Sequence, residues 1–337
     1  MTLMRAARLH LPTHTLTIEE VPRPTPGPGH VLIEVAAAGV CMSDVHLIDG
    51  TLGRPPHLQG DTVTVGHEVS GTIVELGDGV TQFTLGQRVV LQAGDIRGGQ
   101  MHTRGVDFDG GWAEYALASV ESVFPLPDSL PFEQAAIIPD AVSTPWDAIV
   151  RTAAVRPGEA AGVWGVGGLG AHAVQLLRAV GAFPIIAVDP LAAARGRALD
   201  LGADLALDSG DPTFREQVLS VTKGRALNAA FDFAGVTPVH EQALSVLAPE
   251  GRLILAGLSG RPLVVNDSTM FSYLKHEIRG HFGTKLDAVP QLVDLVGGGR
   301  LDFSRSITDV LPLEKASVAV ERLHTKEGNP LRLILKP

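Results

Sequence analysis

The sequence predicts an α/β protein in which a doubly wound parallel sheet follows an irregular, mostly antiparallel β domain. Three observations predict it. From Met4 to about Leu91 the apolar runs are short, β-branched and cut apart by Gly and Pro. From about Pro157 onward, strand-like and helix-like segments alternate at the pitch of a parallel sheet with helices on both faces. Between the first strand and first helix of that alternation lies Gly165-Val166-Gly167-Gly168-Leu169-Gly170.

In the first region Val31–Val35, Val69–Leu76 and Arg88–Leu91 read as strands. Pro22, Pro24, Pro26 and Pro28 make an extended connector, and the stretch from Gln92 to Gly111 is Gly-rich without periodicity. Ala141 to Val150 reads as a helix. Ala161–Trp164 is a short buried strand, and Ala171 to Val180 carries apolar residues at helical spacing. Further strands fall near Ile185–Val188, Leu205–Leu207, Ala229–Phe233 and Leu253–Ala256, with helices near Ala192–Leu201, Phe214–Val221 and Val239–Leu247. After about Lys285 come an amphipathic segment, Val289–Val296, and strand-like runs ending in Leu331–Leu335. That tail is too short to fold alone and is expected to return to the first domain. The expected domains are therefore residues 1–150 completed by 285–337, and residues 151–284.

A chain of 337 residues, 45% hydrophobic and 19% charged, is too long for one simple core. The net charge of -10, with no Lys/Arg run, argues against nucleic acid and anionic membrane surfaces as partners. The N-terminus lacks the apolar stretch of a secretory signal and no segment is long enough to span a bilayer, so a cytoplasmic location is expected. The single cysteine, Cys41, excludes an internal disulfide and any four-cysteine zinc site. A metal site must combine that thiol with His or carboxylates.

The glycine run fits G-x-G-x-x-G after a strand and at a helix start. Gly165, Gly167, Gly168, Leu169 and Gly170 would let the backbone approach a pyrophosphate at the positive end of the helix. Asp189 closes the next strand about twenty residues on, where a carboxylate can accept from the adenosine ribose hydroxyls. It also suits the N-cap of the helix after Pro190, with Pro at the first helical position, and the two roles are compatible. An acid there predicts NAD in preference to NADP. Arg195, in the next helix, is the opposing feature.

Gly39-Val40-Cys41-Met42-Ser43-Asp44-Val45-His46 gathers a thiol, a hydroxyl, a carboxylate and an imidazole within six residues, and Gly66-His67-Glu68 follows. Taken singly, the Cys is a small buried hydrophobe and His46 a surface histidine. Through G-V-C-x-S-D-x-H, G-H-E-x-x-G at Gly66 to Gly71, and Gly110-Gly111-Trp112-Ala113-Glu114-Tyr115, the chain resembles the zinc-containing medium-chain alcohol dehydrogenases over nearly its whole length. The resemblance implies a GroES-like catalytic domain, a Rossmann domain, and a substrate cleft between them.

It further implies that Cys41 and His67 bind a catalytic zinc, with Asp140 where the family usually carries a third, cysteine ligand. Thiolate, carboxylate and neutral imidazole total minus two, as in a two-thiolate site. The other reading of Asp140 is the N-cap of the Ala141–Val150 helix, and Glu68 is the reserve ligand. Arg332 in the last strand is expected to meet Glu68 and to serve the cofactor site; Asp44 is expected to accept from the His67 ring. Ser43 and His46 match the family's proton relay, and Thr144 its nicotinamide contact. A second, structural zinc is not expected, because its four cysteines are missing between Gln92 and Gly111 and His102 cannot replace them. The implied function is transfer of hydride between a nicotinamide cofactor and a small alcohol, aldehyde or ketone, by a homo-oligomer, dimer or tetramer. Rival readings are a zinc-free quinone or enoyl reductase on the same fold and a non-catalytic dinucleotide-binding protein. Trp112 and Trp146 bear either on the substrate or on packing alone.

Overall fold

The chain opens with an antiparallel hairpin, β1 (Leu3–His10) and β2 (Thr15–Pro22), in a computed structural model that describes residues 2–258 and 262–337. It divides into two units, Met1–Ala141 with Lys285–Pro337, and Val142–Thr284. The first unit continues through β3 (His30–Val40), α1 (Met42–Ile48), β4 (Thr62–Thr64), β5 (Glu68–Leu76) and β6 (Arg88–Leu91). Then come a second hairpin, β7 (Gly94–Arg97) with β8 (Gln100–Thr103), and β9 (Tyr115–Ser119), β10 (Val123–Pro125) and α2 (Phe132–Ala136).

The second unit contains α3 (Ser143–Asp147), β11 (Ala161–Trp164), α4 (Gly170–Ala179), β12 (Ile185–Val188), α5 (Ala192–Asp200), β13 (Leu205–Leu207) and α6 (Phe214–Val221). It ends with β14 (Leu227–Asp232), α7 (Thr237–Leu244), β15 (Leu247–Leu255), α8 (Ser268–Tyr273) and β16 (Glu277–Gly280). The first unit is completed by α9 (Ala288–Gly297), β17 (Ile307–Pro312), α10 (Ala316–Thr325) and β18 (Arg332–Lys336).

The main sheet of the first unit runs β10-β6-β5-β3-β18-β17, with β9 also on β3. Alternation at period two decides its core face: Val31, Ile33 and Val35 of β3 pack with Val69 and Ile73 of β5, Val89 and Leu91 of β6, and Leu333 and Leu335 of β18. Register then sets the site. Gly39 of β3 pairs with Glu68 of β5 on one side and with Ile334 of β18 on the other. The first residues of β5 and the last of β3 therefore lie abreast, just ahead of α1.

In the second unit the sheet order is β13-β12-β11-β14-β15-β16, every pair parallel. Strand order reverses between β11 and β14, so the carboxyl ends of these two strands flank a switch point, where open α/β sheets bind ligands. Ile186, Val188, Ala230 and Leu253 from the sheet pack with Phe214, Val218 and Val239 from the helices.

Several elements differ from the sequence expectation. The expected helix near Val239–Leu247 ends at Leu244, because Leu247 pairs with Leu227 and opens β15 before a register shift. The stretch from Gln92 to Gly111 carries the β7–β8 hairpin, held by side chains rather than by an apolar pattern. The helix expected at Ala141–Val150 is α3 flanked by wider π-type turns over Ile138–Val142 and Ala148–Thr152. The helix after Asp189 begins at Ala192, two residues beyond Pro190.

Candidate metal centre and dinucleotide loop

Cys41 stands at the N-cap of α1 in extended backbone. Its N–H donates to Asp44 Oδ2 at 2.9 Å, a reciprocal cap that fixes where the helix begins and where the thiol points. His67 ends the segment leading into β5, and Asp140 lies in the widened turn over Ile138–Val142. The three come together. The Cys41 thiol donates to Asp140 Oδ2 at 3.2 Å, and His67 Nε2 lies 3.4 Å from the same oxygen. One donor atom from each residue falls within 4.8 Å of the others.

The surroundings fix the imidazole. Asp44 Oδ1 lies 3.2 Å from His67 Nδ1, and Nε2 faces the cluster. Ser43 Oγ is 3.4 Å from that Nε2. His46 follows three residues along α1, half-buried, and among the described residues no hydrogen bond joins its ring to Ser43.

Glu68 is fully buried behind the cluster. Its Oε1 accepts the Ala141 N–H at 3.1 Å and lies 3.5 Å from Arg332 Nη1, while Oε2 has no hydrogen-bond partner. Gly39 makes room for it: a Cβ there would come within 1.9 Å of Glu68 Oε2. Arg332 is only 2% exposed and also donates to the Val40 carbonyl at 3.4 Å. Its partners lie beneath the cluster.

These charges act on one another. Burial alone would lower the His67 pKa, but Asp44 and Asp140 outweigh it and raise it well above the usual imidazole value. Burial pushes Glu68 up to about 7, with Arg332 opposing. Asp140 is held below the usual carboxylate range: burial would raise it, but His67 and Arg332 prevail. A thiol, an imidazole nitrogen and a carboxylate oxygen at this spacing are the donor types that Zn²⁺ takes, so the residues fit such an ion.

In the second unit the glycine loop links β11 to α4. Gly165 has φ +81, and a Cβ on Gly170 would meet the Gly165 carbonyl oxygen at 1.9 Å, so the turn requires both glycines. Gly167 is exposed, with nothing within 4 Å of a Cβ built on it, which leaves the loop open to close approach. Gly168 and Leu169 are half-buried beside it. Asp189 is 8% exposed; Oδ2 accepts the Val166 N–H at 2.8 Å and Oδ1 the Leu191 N–H at 2.9 Å. Leu191, not Asp189, takes the N-cap position of α5. Arg195 is bound to Asp208 at 2.9 Å and to the carbonyls of Asp189 and Pro190, both at 2.8 Å. Thr144 is buried in α3.

Trp112 is packing. It is fully buried, donates to the Gly39 carbonyl at 2.9 Å, and covers Gly66. Trp146 is half-buried in α3. Sequence reasoning missed two contributors, Gly39 as the space for Glu68 and His281, whose ring meets the Thr144 carbonyl. The G-V-C motif contained the first; no sequence signal marks the second.

This fold and this site define an oxidoreductase of the two-domain, dinucleotide-dependent kind. Residues 27–128 match the family described as alcohol dehydrogenase GroES-like domain, and residues 168–297 the family described as zinc-binding dehydrogenase. The chain is 30% identical to (R,R)-butanediol dehydrogenase of Neisseria gonorrhoeae, covering 99% of each. It is 29% identical to L-threonine 3-dehydrogenase of Pyrococcus furiosus, covering 88% of each. The crystal structure of 2R,3R-butanediol dehydrogenase from Bacillus subtilis superposes with a TM-score of 0.90 at 27% identity, over 99% of each chain. The chain belongs to the zinc-binding alcohol dehydrogenase family.

Proposed function

We propose that this protein is a zinc- and NAD-dependent alcohol dehydrogenase or carbonyl reductase acting on a small alcohol or its aldehyde or ketone. Cys41, His67 and Asp140 would hold one zinc per chain. The observation that carries the reading is the convergence of these three donor atoms, drawn from three separate segments, within 4.8 Å. When bound, zinc supplies a Lewis acid that lowers the pKa of an alcohol hydroxyl, and the dinucleotide accepts the hydride.

The chain's own groups supply the rest. Asp44 orients the His67 ring with Nε2 toward the cluster. Ser43, 3.4 Å from that nitrogen, presents a hydroxyl able to receive a proton from a substrate oxygen and pass it on, and His46, further along α1, would be the base at the relay's end, reached through the ribose of the dinucleotide. Glu68 and Arg332 brace the cluster from below. Gly165, Gly167, Gly168, Leu169 and Gly170 would receive the pyrophosphate, Asp189 the adenosine ribose, and Thr144 the nicotinamide.

A zinc-free reductase or a non-catalytic binder would have no use for a converged thiol, imidazole and carboxylate. We further propose a homo-oligomer. β16 is an edge strand, and Tyr273 and Phe282 beside it are 76% and 83% exposed, more than an isolated sheet edge needs. Among the described residues no helix is long and apolar enough to cross a membrane.

The test is elemental analysis beside an NAD-reduction assay on a panel of alcohols headed by L-threonine and (R,R)-butanediol, taken from the names of relatives. About one zinc per chain, with activity lost on chelation and restored by zinc, is expected. Zinc-free protein at full turnover overturns the reading.

A further inference from the structure

We propose that His281 is a positioning residue for the nicotinamide half of the dinucleotide, acting through Thr144; the proposal rests on the dinucleotide reading above. His281 directly follows β16, at the carboxyl edge of the parallel sheet where such folds bind ligands. Its backbone N–H donates to the Leu255 carbonyl at 2.9 Å, which pins it to the end of β15.

The ring reaches the helical tract twice. Nε2 lies 2.9 Å from the Thr144 carbonyl, and a carbonyl only accepts, so Nε2 carries the proton. Nδ1 is then a lone pair and accepts from the Thr152 hydroxyl at 2.9 Å. Burial holds the ring neutral, lowering its pKa against the opposing pull of the Thr144 carbonyl and Asp147. The charged neighbours are themselves engaged. Asp147 is paired with Arg151 at 2.9 Å and with Thr284 at 3.1 Å; Arg279 donates to the Thr152 carbonyl at 2.6 Å and to Glu277 at 2.8 Å.

One imidazole thus ties the sheet edge to both ends of α3 and its neighbouring turn. That bracing matters because α3 is short and followed by a π-type turn over Ala148–Thr152, where backbone bonding alone holds the chain less firmly. Without the ring, the turn carrying Thr144 loses its fixed distance from the sheet. The adenosine half is held elsewhere, by the glycine loop and Asp189, and has no stake in this bracing.

The test compares binding of NADH and of ADP-ribose, which lacks the nicotinamide, to wild type, His281→Phe and His281→Gln. His281→Phe should weaken NADH by about tenfold, the worth of one well-placed hydrogen bond, and leave ADP-ribose within about twofold. His281→Gln, which keeps an amide N–H for the Thr144 carbonyl, should recover most of the loss. Equal weakening of both ligands, no weakening of either, or a selective loss that Gln leaves unrepaired overturns the proposal. Wild type that binds neither compound overturns the dinucleotide reading, and this proposal falls with it.

Discussion

Asp140 lies within the turn over Ile138–Val142, and its Oδ2 faces both the Cys41 thiol and His67 Nε2. Replacing it with Ala should remove a metal donor. We expect zinc content to fall well below one per chain and turnover to fall with it, whereas a capping role alone would cost roughly 0.5–2 kcal/mol of stability with the metal retained. Full zinc content in the variant sinks the assignment. Asp189 is proposed to have two duties. Its oxygens hold the Val166 and Leu191 N–H groups, and a carboxylate's remaining lone pairs are free for ribose hydroxyls. Arg195, the basic residue the sequence sets against this reading, is committed to Asp208 and two carbonyls. A preference for NAD over NADP of about tenfold or more in kcat/KM follows, from hydrogen bonds to a charged group before repulsion is counted. Asp189→Asn keeps an acceptor for the loop and is the fair variant: it should narrow the preference, and an unchanged ratio removes Asp189 from cofactor selection. Cys41, Asp44 and His67 were legible because their motifs carry chemistry at short spacing. His281 was not, because its partner Thr144 is 137 residues away and only the fold joins them.

At the scale of elements, short unbroken apolar runs located Ala161–Trp164, Ile185–Val188 and Leu205–Leu207 at the bounds the strands have, as expected of buried parallel strands. The β7–β8 hairpin escaped for the opposite reason. Its residues show no periodicity, and what holds it is a buried polar group. Arg104, with no exposed surface, donates to the Leu117 carbonyl at 2.8 Å and to Asp95 Oδ1 at 3.3 Å. Phe108 is covered by Arg97 at 3.7 Å and meets Arg104 at 5.2 Å. This lobe lies where the family resemblance implies a cysteine cluster, and a side-chain knot occupies it. Among the described residues, Arg104→Met leaves Asp95 buried with only Arg97, 3.4 Å away and half-exposed, as a charged partner. The expected cost is about 3 kcal/mol, at the low end of the roughly 3–5 for breaking a buried pair. Replacing both residues, Asp95→Leu with Arg104→Met, should recover a good part of it in urea unfolding. A double variant no more stable than the single one would mean that Arg104 acts through packing and not through charge.

For the whole molecule, composition announced two domains, and the alternation of elements after Pro157 announced which half carried the parallel sheet. Neither could give the register that sets Gly39 beside Glu68, because register depends on pairing between distant strands. Each unit has its own apolar core, one around Val31, Ile73 and Leu333, the other around Ile186, Phe214 and Leu253. The metal cluster belongs to the first unit and the glycine loop to the second. A ligand stabilises the unit that binds it by about RT ln(1 + [L]/Kd), roughly 2.7 kcal/mol at a hundredfold excess over Kd, or about 5–10 °C for a domain of this size. Calorimetry should accordingly resolve two transitions. NADH should raise one by about that amount. Chelation should lower the other, because Cys41, His67 and Asp140 would then face each other without a cation. Segment-resolved hydrogen exchange should assign the chelator-sensitive protection to residues 1–141 and 285–337, and the NADH-sensitive protection to 142–284. A single transition displaced by both treatments, with protection changing across the whole chain, would show that the two units unfold as one and that neither ligand acts on its unit alone.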